Sequence, residues 1–216
     1  MKCVICGIRK PKRHCPGVHG DICSICCGTE REQTVLCPLN CEYLHEAHLH
    51  ERVPEVDLAK IPNIEVNLTE KFLQENEGPL FILGAAVFES TAGSQSATDY
   101  DAREALEALI VSYKAMQTGL FYESKPVNPY AAAIYELVQR RVKEVRDLKE
   151  QGDPTAIELR DSAILGVLIF LQRLEYRNNN GRKRSRAFME VLQKFYGNQL
   201  KTLANSPEPE APLVIL

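Results

Sequence analysis

MKCVICGIRKPKRHCPGVHGDICSICCGTEREQTVLCPLNC, residues 1–41, holds all eight cysteines of a 216-residue chain. Seven of them, with one histidine, fall into short-range pairs: Cys3-x2-Cys6, Cys15-x3-His19, Cys23-x2-Cys26 and Cys37-x3-Cys41, which leaves Cys27 over. Two cysteines separated by two residues fit a zinc knuckle, a tight turn that aims both thiolates at one metal about 2.3 Å away. Gly7 and Gly28 follow the two x2 pairs closely, where such a turn calls for a residue tolerant of positive φ. The x3 pairs suit a looser turn or the first turn of a helix. Cys41 leads into Glu42 to Ala47, a good helix-forming run, so this last pair is expected at a helix N-terminus, where the free amides and the dipole favour thiolates.

Metal also answers a stability problem. Tyr43 is the only aromatic residue in positions 1–50, and the aliphatics there are scattered. A segment of this size with so thin a core rarely folds alone. Structural zinc contributes on the order of 10–16 kcal/mol in finger peptides, enough to offset the deficit. Cys3, Cys6, Cys15, His19, Cys23, Cys26, Cys37 and Cys41 are enough for two closed tetrahedral zinc sites, and closed sites are structural. The order of the pairs suggests a cross-brace, with Cys3, Cys6, Cys23 and Cys26 on one zinc and Cys15, His19, Cys37 and Cys41 on the other. Spacing equally allows a sequential arrangement, first pair with second and third with fourth.

In outline, residues 1–50 resemble cross-braced treble-clef zinc fingers of the HIT and MYND kind. The resemblance implies structural zinc and the recruitment of a partner protein. That family closes with a His-x3-Cys pair, whereas the residues after Cys41 supply His45, His48 and His50 and no cysteine. His45 is therefore an alternative to His19 as ligand, and Cys27 an alternative to Cys26 or a buried spare thiol. His14, His48 and His50 are read as non-ligands, the last two solvated. The basic loop Arg9, Lys10, Lys12 and Arg13 either balances thiolate charge or contacts phosphate.

The bulk properties narrow the class. A formal net charge of −3 argues against a protein that coats nucleic acid over its whole surface. Cys3 directly follows Met1-Lys2, where a secretory leader needs an apolar stretch. The longest apolar run, Ala163 to Leu171, is far short of the roughly 20 residues of a spanning helix. A cytoplasmic, reduced protein with no membrane association is expected, in which clustered cysteines bind metal rather than form disulfides.

Beyond the module (residues 1–53) the chain reads as a linker (54–68), an all-α bundle of about five helices (69–204) and a Pro/Glu spacer with an apolar end (205–216). Pro54 and Pro62 bracket the linker, and Ile61 to Val66 allows a short strand. Asn67 to Glu70 signals a helix start, and Gly78-Pro79 a break before a second helix. Asp99 to Thr118 has helical apolar spacing, with Gly119 as the residue just past its end. Asn128-Pro129 and Asp153-Pro154 read as an N-cap followed by Pro at the first helical position. The second of these opens a central helix around Ala163 to Leu171, which ends at Asn178–Gly181. A last amphipathic helix uses Ala187, Phe188, Val191, Leu192, Phe195, Leu200 and Leu203. The tail ends in Leu213 to Leu216, read as docking back beside Ile61 to Val66 or as a peptide for a partner.

No Walker loop, GxGxxG, HExxH or GxSxG motif is present, so no enzyme is expected. The function that follows is a non-enzymatic zinc protein acting as a protein-binding adaptor. The alternative is a nucleic-acid-binding regulator using the basic loops 9–13 and 182–186, the latter within the run Arg173, Arg177, Arg182, Lys183, Arg184 and Arg186. Less weight falls on a thiol-redox role for Cys26-Cys27 or on a zinc enzyme.

Overall fold

The computed structural model describes residues 1–51, 57–120 and 123–204. The expectations for Pro54 and for the tail 205–216 lie outside these residues.

The N-terminal module is built on a small antiparallel hairpin, β1 (Arg13–Cys15) paired with β2 (Gly20–Ile22), with Cys15 opposite Gly20 and Arg13 opposite Ile22. Its turn, Pro16 to His19, places His19 at φ +50°. The chain before the hairpin is tied to it: Val4 N–H donates to Asp21 O at 3.0 Å, and Lys12 N–H to Ile22 O at 2.8 Å. Two helices follow, α1 (Ser24–Glu30) and α2 (Glu42–His50). Of the two glycines behind the x2 pairs, Gly7 has the positive φ, +66°, while Gly28 lies inside α1 and needs no special conformation. The module's buried cluster comprises Cys3, Cys15, Ile22, Cys23, Cys26, Val35, Cys37 and Leu44.

The linker does not form the strand allowed by Ile61 to Val66. Leu58–Lys60 is a 3-10 turn, and residues 62–66 are held by Arg173, whose guanidinium donates to the carbonyls of Pro62 at 3.1 Å, of Val66 at 2.8 Å and of Asn63. A side chain thus takes the carbonyls that a neighbouring strand would have used.

The body contains six helices among the described residues, matching the about five expected: α3 (Glu70–Glu75), α4 (Glu77–Ala92), α5 (Asp99–Gln117), α6 (Pro129–Glu150), α7 (Asp161–Asn178) and α8 (Ala187–Ala204). Thr69 rather than Asn67 caps α3, its Oγ1 accepting Phe72 N–H at 3.1 Å. The break before α4 falls at Asn76, because Gly78 and Pro79 fit inside the first turn of α4, where N–H groups have no helical partner. Asp153-Pro154 does not start a helix. The Asp153 carboxylate accepts both N–H and Oγ1–H of Thr155, closing a local turn, and α7 begins only at Asp161.

α7 is the central helix, as its composition demands: Ile164, Val167, Leu168, Ile169 and Leu171 are fully buried. It packs against α5, while α4 packs on α6 and α8. The buried face of α8 is Phe188, Met189, Leu192 and Tyr196; Phe195, expected inside, is 63% exposed. Tyr196 takes its place by lying over Gly84, where a Cβ would sit only 2.2 Å from the Tyr196 hydroxyl.

The N-terminus of α8 is capped from elsewhere in the chain. Asp99, buried at the start of α5, accepts Phe188 N–H at 3.1 Å, Met189 N–H at 3.2 Å and the Ser185 hydroxyl at 2.5 Å. Glu32 of the module accepts Arg186 N–H at 2.7 Å. No helix among the described residues is long and apolar enough to cross a membrane.

Candidate metal centre and its dock on the helical body

The sulfurs of Cys3, Cys6, Cys23 and Cys26 all lie within 4.8 Å of one another. A tetrahedral zinc with bonds of about 2.3 Å places its sulfurs roughly 3.8 Å apart, so the cluster has the dimensions of such a site. Each arm has a local cause. Gly7 N–H returns to Cys3 O at 2.8 Å, closing the first knuckle. Cys23 follows directly on β2 and is the N-cap of α1, its sulfur accepting Cys26 N–H at 3.4 Å. Cys23 N–H in turn points at the Cys3 sulfur at 3.3 Å.

The electrostatics of the cluster are compatible with a bound cation. Burial disfavours a charged Cys3, but the amides of Cys6, Cys23 and Ile5 hold its thiol down at about 6. The Cys26 amide lowers Cys23 likewise. Cys26 is pushed up to about 12, first by burial and then by the crowding of Cys23, Cys6 and Cys3. Amide donors thus favour thiolates at part of the cluster, while the crowding keeps the last proton on. A divalent ion relieves that conflict, and four converging thiols could hold one. Arg9 supplies further positive charge, its guanidinium 4.0 Å from the sulfurs of both Cys23 and Cys26.

This grouping joins the first cysteine pair with the third, the cross-braced order. Cys15, His19, Cys37 and Cys41 do not form a comparable group within 4.8 Å among the described residues. Cys15 and Cys37 are buried, and Cys41 is the N-cap of α2 as expected. Burial raises Cys37 to about 11, assisted by the charges of Glu32, Cys41 and Cys15, so the three thiols are electrostatic neighbours. His19 is exposed and borders the cavity between module and body.

The residues left over have definite places. Cys27 lies outside the four-thiol cluster, with its sulfur 3.7 Å from Arg13 and 3.8 Å from Arg31. His14 pairs with Asp21 across the hairpin at 3.2 Å, and His50 is exposed. His48 is not solvated, contrary to expectation. Its side chain is 10% exposed and clamped between two carboxylates, with Nε2 2.9 Å from Glu32 and Nδ1 bonded to Glu190. His45 Nδ1 meets the other Glu190 oxygen at 2.6 Å, so it is drawn toward the body.

These contacts form a polar clasp that residue spacing did not reveal. Glu32, fully buried at φ +53°, also accepts Asn180 Nδ2 at 2.7 Å, and its carbonyl accepts Arg184 N–H at 2.8 Å. Burial penalises the charge on His48, but its hydrogen bonds to the Glu32 and Glu190 carboxylates outweigh it and raise the imidazole to about 9. With an acceptor at each ring nitrogen, it sits as an imidazolium. Glu32 and Glu190 are held below the usual carboxylate range by their His48 contacts despite burial. Glu32, His48 and Glu51 also converge within 4.8 Å, yet Asn180 and Arg182 already occupy the two carboxylates. The group is a closed lock rather than an open ligand set.

The basic segments are largely consumed in the same way. Arg182 pairs with Glu51 at 2.7 Å and donates to Arg31 O at 2.9 Å. Arg186 is only 4% exposed, its guanidinium directed at the carbonyls of Thr91 and Ser94. In the first loop, Arg9 and Arg13 face sulfurs, and Arg13 also lies over the Tyr43 ring at 3.8 Å. The exposed basic groups left in these two loops are Lys10, Lys12, Lys183 and Arg184. Compared with protein-family models, curated proteins and solved structures, the chain matches none.

Proposed function

We propose that the protein is a non-enzymatic zinc-binding adaptor, in which a structural zinc on Cys3, Cys6, Cys23 and Cys26 organises the N-terminal module. Module and helical body then form one binding surface for a partner protein. The observation that carries this reading is the four-thiol cluster itself: all four ligand positions are filled by cysteine, and three of the four side chains are buried. A closed tetrathiolate leaves no coordination position for a substrate, which separates a structural zinc from a catalytic one.

A second zinc on Cys15, His19, Cys37 and Cys41 belongs to the same proposal, supported by the charges of Cys41 and Cys15 that act on the buried Cys37 thiol. The nucleic-acid alternative has less support, because Arg182 and Arg186 are engaged inside the fold. Zinc content and a free-thiol titration of the native protein test the metal assignment together. Two zinc ions per chain, with Cys27 as the one thiol that reacts, is the expected result. One ion with reactive Cys15, Cys37 and Cys41 removes the second site. No bound metal and eight reactive thiols overturn the proposal.

A further inference from the structure

Two hollows open where the module meets the body. The larger, about 650 Å³, is walled by Leu36, Pro38 and Leu39 of the module and by Phe88, Ala92 and Gln193 of α4 and α8. The smaller, about 480 Å³, is bordered by Thr98, Asp101, Asn128, Tyr130 and Arg184. Leu36 and Ser96 border both, so the hollows adjoin as one groove along the junction.

The two ends differ in chemistry. The larger hollow sets two leucines, two prolines and the Phe88 ring among His19, Asn40, Gln95 and Gln193. The smaller offers hydroxyls, an exposed tyrosine and one cation. Arg184 is exposed, and its guanidinium has no acidic partner among the described residues. In this it differs from Arg103, Arg141, Arg146, Arg160 and Arg182, which are ion-paired, and from Arg173 and Arg186, which are directed at carbonyls. Asp101 lines the same hollow, but its carboxylate is already satisfied by Thr98 N–H at 2.6 Å, the Thr98 hydroxyl at 2.7 Å and Asn128 at 2.6 Å. Asp101 keeps its charge, but it is buried and turned to these neutral donors, so the charged group exposed at the smaller hollow is Arg184.

In an extended peptide, side chains on the same face recur about every 6.6–6.8 Å, so neighbouring positions can enter adjoining hollows. We infer that this groove binds an extended segment of a partner protein, seating an apolar side chain against Leu39 and Phe88 and an acidic side chain on Arg184. The inference rests on the protein-binding reading above and names the surface and the partner's chemistry. Nucleic acid fits less well, since it has no aliphatic side chain for the larger hollow.

The test is to pan a display library of random peptides, roughly ten residues long, against the zinc-loaded full chain. Selected peptides are expected to carry Asp or Glu within about two to four residues of Leu, Ile, Met or Phe. Arg184→Glu is expected to weaken them by roughly tenfold to a hundredfold, the range of a lost charge-assisted contact. Ala92→Arg, which fills the larger hollow from an exposed helix end, is expected to weaken them similarly. Both positions are exposed, so unchanged melting curves certify the fold. Peptides without acidic bias, or binding untouched by both substitutions, overturn the groove. Peptides lost on Cys3→Ser/Cys23→Ser but indifferent to Arg184→Glu and Ala92→Arg also overturn it, while leaving the adaptor reading in place.

Discussion

The two hydrophobic clusters of this protein are held together by different chemistry. In the body, Leu, Ile, Val, Ala and aromatic side chains from α4 to α8 interlock. In the module, five of the eight buried residues are cysteines, and only Ile22, Val35 and Leu44 contribute ordinary apolar burial. At about 1.5–3 kcal/mol for each fully buried side chain, those three recover far less than the entropy of ordering some fifty residues. A large core can stand alone, whereas a core made of thiols depends on what the thiols bind.

The sharpest way to break this comparison is metal removal. Chelation is expected to collapse the dispersed amide signals of residues 1–50 while most of the helical circular dichroism survives, since zinc supplies on the order of 10–16 kcal/mol to such modules. A chelated protein that keeps the module's dispersion would erase the distinction. The converse substitution is Leu168→Ala in the middle of α7, fully buried. It is expected to cost about 2–5 kcal/mol in denaturant unfolding of the body without changing the metal content.

The clasp between the two clusters comes next. Glu32→Gln removes the charge that faces the imidazolium of His48 and is expected to cost about 1.5–3 kcal/mol, read as faster hydrogen exchange at the module–body junction. The same contacts set a pH window. His48 is raised to about 9 from 6.5, so its contribution is complete below pH 6.5 and is lost as pH climbs toward 9. Glu32 and Glu190 lie below 4.5, so theirs is present above pH 4.5 and lost as pH falls beneath it. Stability of the docked state is therefore expected to level out between about pH 4.5 and 6.5, and His48→Gln should flatten the alkaline limb. The smallest effect belongs to Arg13→Ala, about 0.5–1 kcal/mol from its contact with Tyr43, read as a modest fall in the module's melting point.

What was legible in the sequence was local. The cysteine pairs, the N-cap at Cys41, the all-apolar stretch in α7 and the glycines ending α5 and α6 each announce themselves within a few residues. The order of the cysteine pairs also pointed to the grouping of the first with the third. The clasp did not announce itself, because Glu32 reaches His48 across 16 residues and Asn180 across 148, while His48 reaches Glu190 across 142. For the same reason Arg173, Arg182 and Arg186 read as a surface cation cluster, although their partners are linker, module and loop groups far away in the chain. Asp153-Pro154 misled for a local reason, since Thr155 captured the carboxylate and closed a turn first.

One consequence of Glu32 concerns signalling between the two clusters. By accepting Arg186 N–H, it makes the first turn of α8 depend on a residue that the metal module positions. Module folding and this one capping bond then share an equilibrium, while Asp99 holds the next two amides from within the body. If the thiols hold zinc as proposed, thermodynamic reciprocity requires any ligand that tightens the start of α8 to tighten metal binding by the same factor, and metal loading to favour that ligand in return. On the zinc reading, the start of α8 would gauge metal occupancy at the junction of module and body.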